Sequence, residues 1–137
     1  MKDILVAVDG SNYSEKAVNQ GLELAKKFDA KVTFLNVVSS YGYAGEILEE
    51  AIENEVSSAK ELLAGFEEEA EEENVTAEIE VIKDSSAANG IVGYAKENDF
   101  DLIVVGARGK SGLETVQLGS VSEAVVKRSR SPVLVYR

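Results

Sequence analysis

The chain has 137 residues, 45% of them hydrophobic and 28% charged, a size and balance that suit one domain built round one core. It contains neither cysteine nor histidine, which excludes disulfides, thiolate nucleophiles, His-based triads and the usual zinc sites and leaves carboxylates, hydroxyls, lysines and backbone amides for any chemistry. A formal net charge of −11 argues against broad contact with a nucleic-acid backbone, and no apolar run approaches the roughly 20 residues of a bilayer-crossing helix.

Met1-Lys2-Asp3-Ile4 enters a strand-like run at once, without the basic, apolar and small-residue order of a signal peptide, so the expected location is cytoplasmic. Residues 3–9 (DILVAVD) are short, apolar and β-branched, close on the polar turn Gly10-Ser11-Asn12, and predict a buried strand. Ala17, Val18, Gly21, Leu22, Ala25 and Phe28 then recur at three- and four-residue steps, predicting an amphipathic helix capped by Ser11 or Asn12. Residues 31–38 (KVTFLNVV) repeat the strand signature. Residues 39–45 read as a loop, in which Tyr41 and Tyr43 either stack on a base or pack over a neighbouring helix. From 46 to about 73 the apolar set Leu48, Ile52, Val56, Ala59, Leu63, Phe66 and Ala70 keeps helical spacing. The glutamate run at 67–73 reads as a solvated helix end, with a partner-binding acidic patch as the alternative. A third strand over 75–82, a third helix over 87–98 and a fourth strand over 101–106 follow. Beyond a glycine-rich stretch come a last helix over 118–129, stopped by Pro132, and a fifth strand over 133–136.

Strand and helix alternate from end to end, which predicts an α/β fold: a five-stranded parallel sheet with helices on both faces, right-handed crossovers and a single domain over 1–137. Such sheets bind ligands beyond the carboxyl ends of their strands, where the strand order reverses. Asp9, Val37 and Gly106 stand at the ends of strands one, two and four and are expected to share one crevice.

The chemistry concentrates in residues 106–122, GARGKSGLETVQLGSVS, where glycines follow a strand directly and Gly119-Ser120 opens a helix. Glycine lets the backbone approach a phosphate and adopt positive φ, and the free amides and positive dipole end of a helix attract negative charge. Ser120 and Ser122 offer hydroxyl donors, while Arg108 and Lys110 supply local positive charge. Gly109-Lys110-Ser111 is not a P-loop, because the earlier glycine that a P-loop requires falls on Val104 or Val105 and no helix pattern starts at Ser111. Nor is there a G-x-G-x-x-G for a dinucleotide. Plainer roles stand beside these: Asp9 as a turn aspartate, Ser120 as a helix cap, Arg108 and Lys110 as solvated loop charges.

The spacing Gly106-x2-Gly109-x9-Gly119-Ser120 resembles the ATP-binding branch of the universal stress protein family. The likeness extends through Val8-Asp9-Gly10-Ser11, Leu35-Asn36-Val37, Asp101-Leu102-Ile103-Val104-Val105-Gly106, Gly119-Ser120-Val121-Ser122-Glu123 and Ser131-Pro132-Val133-Leu134-Val135. It implies a Rossmann-like sheet of order 3-2-1-4-5, of the adenine nucleotide alpha hydrolase-like kind, and a homodimer paired through strand 132–136. It also implies ATP accompanied by Mg2+ or Mn2+. In that resemblance Val37 meets the adenine through its backbone and Asp9 lies near the ribose or a phosphate-bound metal. Gly106, Arg108, Gly109, Lys110, Ser111 and Gly112 line ribose and phosphates, with Gly119, Ser120, Val121 and Ser122 on the phosphate tail. Ala7, which belongs to the same site, stands where ATP-binding members often have proline, and Ala107 where many have serine. Lys83-Asp84-Ser85-Ser86-Ala87 replaces a frequent Gly-x-Pro turn and receives no role.

Three functions stay open on these residues. The first is a nucleotide-responsive regulatory switch in stress response, with an unidentified protein partner and no catalytic residue, since no base or activated nucleophile accompanies the glycine-rich stretch. The second is a slow ATPase or autokinase, with Asp9 organising metal or water and Ser120 or Ser122 accepting phosphate. The third is a nucleotide-free dimeric interaction module.

Overall fold

The computed structural model describes residues 1–39, 45–108 and 118–137, and for residues 45–48 the backbone alone. Among the described residues, five strands and four helices alternate: β1 (Asp3–Ala7), α1 (Asn12–Phe28), β2 (Lys31–Ser39), α2 (Gly45–Glu72), β3 (Ala77–Asp84), α3 (Ala87–Glu97), β4 (Leu102–Gly106), α4 (Ser120–Arg128) and β5 (Val133–Tyr136). The strands form one parallel sheet in the order β3-β2-β1-β4-β5, as the alternation and the resemblance imply. β1 is buried on both faces and reads as an unbroken apolar run for that reason. Its even residues Ile4 and Val6, with Val8 just beyond its end, pack with Phe34 under α1 and α2. Leu5, with Leu35, Ile103 and Val105, packs under α3 and α4. Full burial of side chains such as Phe34, Ile4, Leu5 and Ile103 stabilises the fold by roughly 1.5–3 kcal/mol each.

Helix ends follow one device three times. Asp29, Asn74 and Asp99 each take left-handed backbone, with φ of 52°, 61° and 53°. The next residue returns its N–H to a carbonyl five positions back: Ala30 to Ala25, Val75 to Ala70, and Phe100 to Ala95. This double closure satisfies the last helical carbonyls and tucks an apolar residue, Ala30, Val75 or Phe100, under the helix end. It also moves a boundary. Val75 is buried as part of the cap, so β3 begins at Ala77 and not at 75. Likewise β4 begins at Leu102, because Asp101 is spent elsewhere: its Oδ2 accepts the backbone N–H of Lys2 at 2.8 Å and of Asp3 at 2.9 Å, clipping the start of β1 to β4.

At the other end of the sheet β1 stops at Ala7, two residues short of the predicted Asp9, since the regular ladder with β2 ends on the pair Ala7 and Leu35. α1 is capped by Ser11, whose Oγ accepts the Ser14 N–H at 3.2 Å. α4 begins at Ser120 and not at 118, because Gly119 is extended, with φ −64° and ψ 160°. Among the described residues, no helix is long and apolar enough to cross a membrane.

Candidate functional site

The strand order reverses between β1 and β4. The chain runs from β1 outward through β2 to β3, then returns past β1 to continue through β4 to β5. Beyond the carboxyl ends of these strands lies a crevice of about 340 Å³, within the roughly 300–1,000 Å³ usual for small-molecule sites. Its apolar lining is Ala7, Leu35, Val37, Val105 and Ile91, side chains that continue the core layer under α3 and α4. Polar groups enter from Asp9, Ser14, Asn36, Arg108 and the first turn of α4.

The structure therefore brings together Ala7, Asp9, Val37, Gly106, Arg108, Gly119, Ser120, Val121 and Ser122 along one crevice. Gly109, Lys110, Ser111 and Gly112 lie outside the described residues, as do Tyr41 and Tyr43. Asp9 occupies the turn after β1, its Oδ1 accepting the Ser11 N–H at 2.9 Å, while Gly10 takes the left-handed φ of 88° that lets the chain double back into α1. The turn role that the sequence allows for Asp9 and its place on the crevice thus coexist.

The α4 end carries the strongest electrostatic feature. Its capping residue is Gly119, which offers no side-chain acceptor to the first-turn amides. The N–H groups of the first turn lack intrahelical acceptors and sit at the positive end of the helix dipole. Three of the residues there, Ser120, Val121 and Ser122, line the crevice, so the arrangement is one that accepts an anion. Ser120 is the first helical residue, not the cap, and is exposed. Ser122 is 3% exposed and its Oγ is 2.9 Å from the Ala107 carbonyl and 3.0 Å from that of Gly119. Its single hydroxyl hydrogen is committed to the protein's own carbonyls, and Ala107 also accepts the Gly119 N–H at 2.7 Å.

Gly106 has a structural reason of its own. A Cβ there would lie 2.7 Å from the Tyr13 carbonyl oxygen and 2.8 Å from its carbon, so glycine is what lets the start of α1 rest against the end of β4.

Val8, Ser14, Leu35, Asn36, Ala87, Ile91 and Val105 also line the crevice; Val8, Leu35, Asn36 and Val105 lie in segments that carry the likeness, but the sequence marks none of the seven for a site role. Most carry ordinary core signatures in the sequence. Ala87 enters because β3 runs on to Asp84, whose Oδ1 accepts the Ser86 N–H at 2.9 Å, and Ser86 in turn caps α3 through the Asn89 N–H. The segment given no role in the sequence thus sets the start of α3 at the crevice edge.

The whole chain, residues 1–137, matches the universal stress protein family. Universal stress protein MJ0531 of Methanocaldococcus jannaschii is 36% identical over 143 residues, spanning 99% of this chain and 82% of that protein. Universal stress protein YxiE of Bacillus subtilis is 37% identical over 145 residues, spanning 98% and 97%. Among solved structures, universal stress protein UspA from Lactobacillus plantarum superposes with a TM-score of 0.92 at 27% identity, covering 99% of this chain and 97% of that one. More distant likenesses, of fold alone, include a universal stress protein from Archaeoglobus fulgidus in complex with dAMP (TM-score 0.77, 22% identical, 100% and 98% covered). Another is a universal stress protein family protein from Arabidopsis thaliana with AMP bound (TM-score 0.74, 23% identical, 99% and 91% covered). With the sheet order, the crevice and these matches together, the chain belongs to the universal stress protein family.

Proposed function

We propose that the crevice binds an adenine nucleotide, ATP, and that the protein is a nucleotide-responsive switch of the cytoplasmic stress response. The observation that carries this reading is the start of α4, which has no side-chain cap and opens onto an apolar crevice at the point where the sheet order reverses. A base fits the apolar end beside Val37 and Leu35, and the phosphates fit the α4 amides, with Arg108 at the same rim. The fold neighbours that hold dAMP and AMP support the ligand class.

Asp9 is the one carboxylate among the described crevice residues, and no cluster of three or more metal-binding side chains occurs among the described residues. That donor set fits Mg2+ or Mn2+ held mainly by nucleotide phosphates, with Asp9 as its protein carboxylate. The cation would neutralise phosphate charge, and the chain's own residues would bind and orient the nucleotide.

In the same proposal the readout is a homodimer through β5. That edge strand, VLVY, carries no charge, whereas the opposite edge strand, β3, carries Glu78, Glu80, Lys83 and Asp84, the kind of guard that blunts an edge. Residues 101–137 hold six Lys/Arg against three Asp/Glu, while residues 1–100 hold eight against twenty-two. Pairing through β5 therefore keeps the two acidic α2 helices at far ends of the assembly.

Mass spectrometry of the small molecules released on denaturing freshly purified protein, followed by calorimetric titration of stripped protein with Mg-ATP, tests the reading. Released ATP or a saturable heat is expected; an empty protein that gives no heat refutes it. Release of ADP in place of ATP would move the function from switch to hydrolysis.

A further inference from the structure

Asn36 stands between the two ends of the crevice. The regular β1–β2 ladder finishes at Ala7 and Leu35. One residue further, the Val8 N–H donates to the Leu35 carbonyl at 2.8 Å, and the Asn36 side-chain amide, Nδ2, donates to the Val8 carbonyl at 2.7 Å. Both backbone groups of Val8 are thus held by β2, one of them by a side chain. Val8 is 3% exposed, so bulk water is a poor substitute donor for that carbonyl. Immediately after Val8 come Asp9 and Gly10, where φ turns positive and the chain reverses into α1. The Asn36 bond is therefore made to the last residue held by β2 before the turn that carries Asp9. Asn36 also directly precedes Val37 in the chain, so one side chain links the base end of the crevice to its carboxylate.

We propose that Asn36 is a positioning residue for Asp9: its amide sets the turn after β1 and thereby the metal- and phosphate-dependent part of nucleotide affinity, leaving the base contact untouched. This rests on the nucleotide reading above. It departs from a merely structural role in being selective between ligands that share a base and differ in phosphates.

The test compares Asn36→Leu, close in size but without a donor, with the wild-type protein. Calorimetry gives the affinities for adenosine and for ATP, the latter with and without Mg2+, and amide hydrogen exchange of the ligand-free protein reads the Ser11 N–H. The expected result has three parts: Mg-ATP affinity falls about five- to tenfold, adenosine affinity stays within twofold, and the Ser11 amide exchanges faster. Equal losses for adenosine and Mg-ATP, no loss for either, or unchanged Ser11 exchange would overturn the role of Asn36 while leaving the nucleotide reading intact. Wild-type protein that binds neither probe would overturn the nucleotide reading and this inference with it. Should Asn36→Leu fail to fold, Asn36→Ala, which gives up the donor without setting a branched apolar group beside the Val8 carbonyl, is measured and judged by the same outcomes.

Discussion

Substituting Gly106 by alanine adds one methyl group at the place where α1 meets β4. The new carbon would stand 2.7 Å from the Tyr13 carbonyl oxygen, whereas ordinary contact begins near 3.4 Å, so the two segments must separate by about 0.7 Å. Neither side can yield by changing a rotamer. The obstacle is backbone, and Gly106 is itself tied into the sheet opposite Tyr136. Overpacking of this kind costs about 1–3 kcal/mol, and with backbone on both sides the upper part of that range applies, about 2–3 kcal/mol. That is a roughly 30- to 140-fold loss in the folding equilibrium, readable as a lower urea midpoint at unchanged slope. Gly65→Ala is the matched control: it lies within α2 with nothing within 4 Å of the added carbon, so the same chemical change should stabilise the protein by about 0.5–1 kcal/mol through helix propensity. If Gly106→Ala unfolds within about 0.5 kcal/mol of wild type, the close approach of α1 to β4 is not what requires glycine there, and the argument fails.

Ser122→Ala removes the hydroxyl bond to the Ala107 and Gly119 carbonyls, but each keeps another donor, from Gly119 and Glu123 respectively. No carbonyl is orphaned, so urea unfolding should show a loss of about 1 kcal/mol and not the larger penalty of a buried unpaired group. The Asp101 carboxyl is held below its ordinary value by the backbone N–H groups of Lys2 and then Asp3. A depressed folded-state pKa contributes stability that is fully present above the unfolded value, near 3.9, and is lost as pH falls through the folded value. Asp101→Asn should therefore lower the urea midpoint at pH 7, with the gap to wild type narrowing below about pH 4; a gap that is constant with pH would contradict this. On the proposed pairing through β5, wild-type protein scatters light as a dimer, and Tyr136→Lys, at a residue 36% exposed on that uncharged edge strand, should shift it to monomer while leaving the circular dichroism unchanged; wild-type protein that scatters as a monomer would refute the pairing.

The element plan was legible because each segment's periodicity is dictated by the layer it occupies. β1 and β4 lie between two helical layers and so are apolar throughout; α1 exposes one face and so alternates at three and four residues. Boundaries were less legible wherever an apolar residue serves a cap. Val75 extends the apparent strand because it is hydrophobic, yet it is buried beneath the end of α2. Leu118 extends the apparent helix, although extended Gly119 separates it from Ser120. For the site, glycine spacing pointed to residues 106–122, because close backbone approach leaves a visible mark in residue type, and the strand ends pointed to Asp9 and Val37. Ile91 and Ser14 leave none, and Asn36, although inside the Leu35-Asn36-Val37 segment that carries the likeness, gives no sign of its bond: nothing local separates a crevice wall from a core wall, or an amide that holds a turn from one facing solvent.

The sequence by itself determined the order and kind of the elements, the parallel sheet architecture, and which strand ends and helix start border the crevice. These depend on short-range matters such as side-chain period, turn residues and helix starts. Tertiary structure alone decided that Gly106 must admit the Tyr13 backbone, that the Ser122 hydroxyl is spent on Ala107 and Gly119, and that Asn36 reaches Val8. Each of these is a contact between segments distant in the chain, and its partner is set by the strand order and register of the sheet.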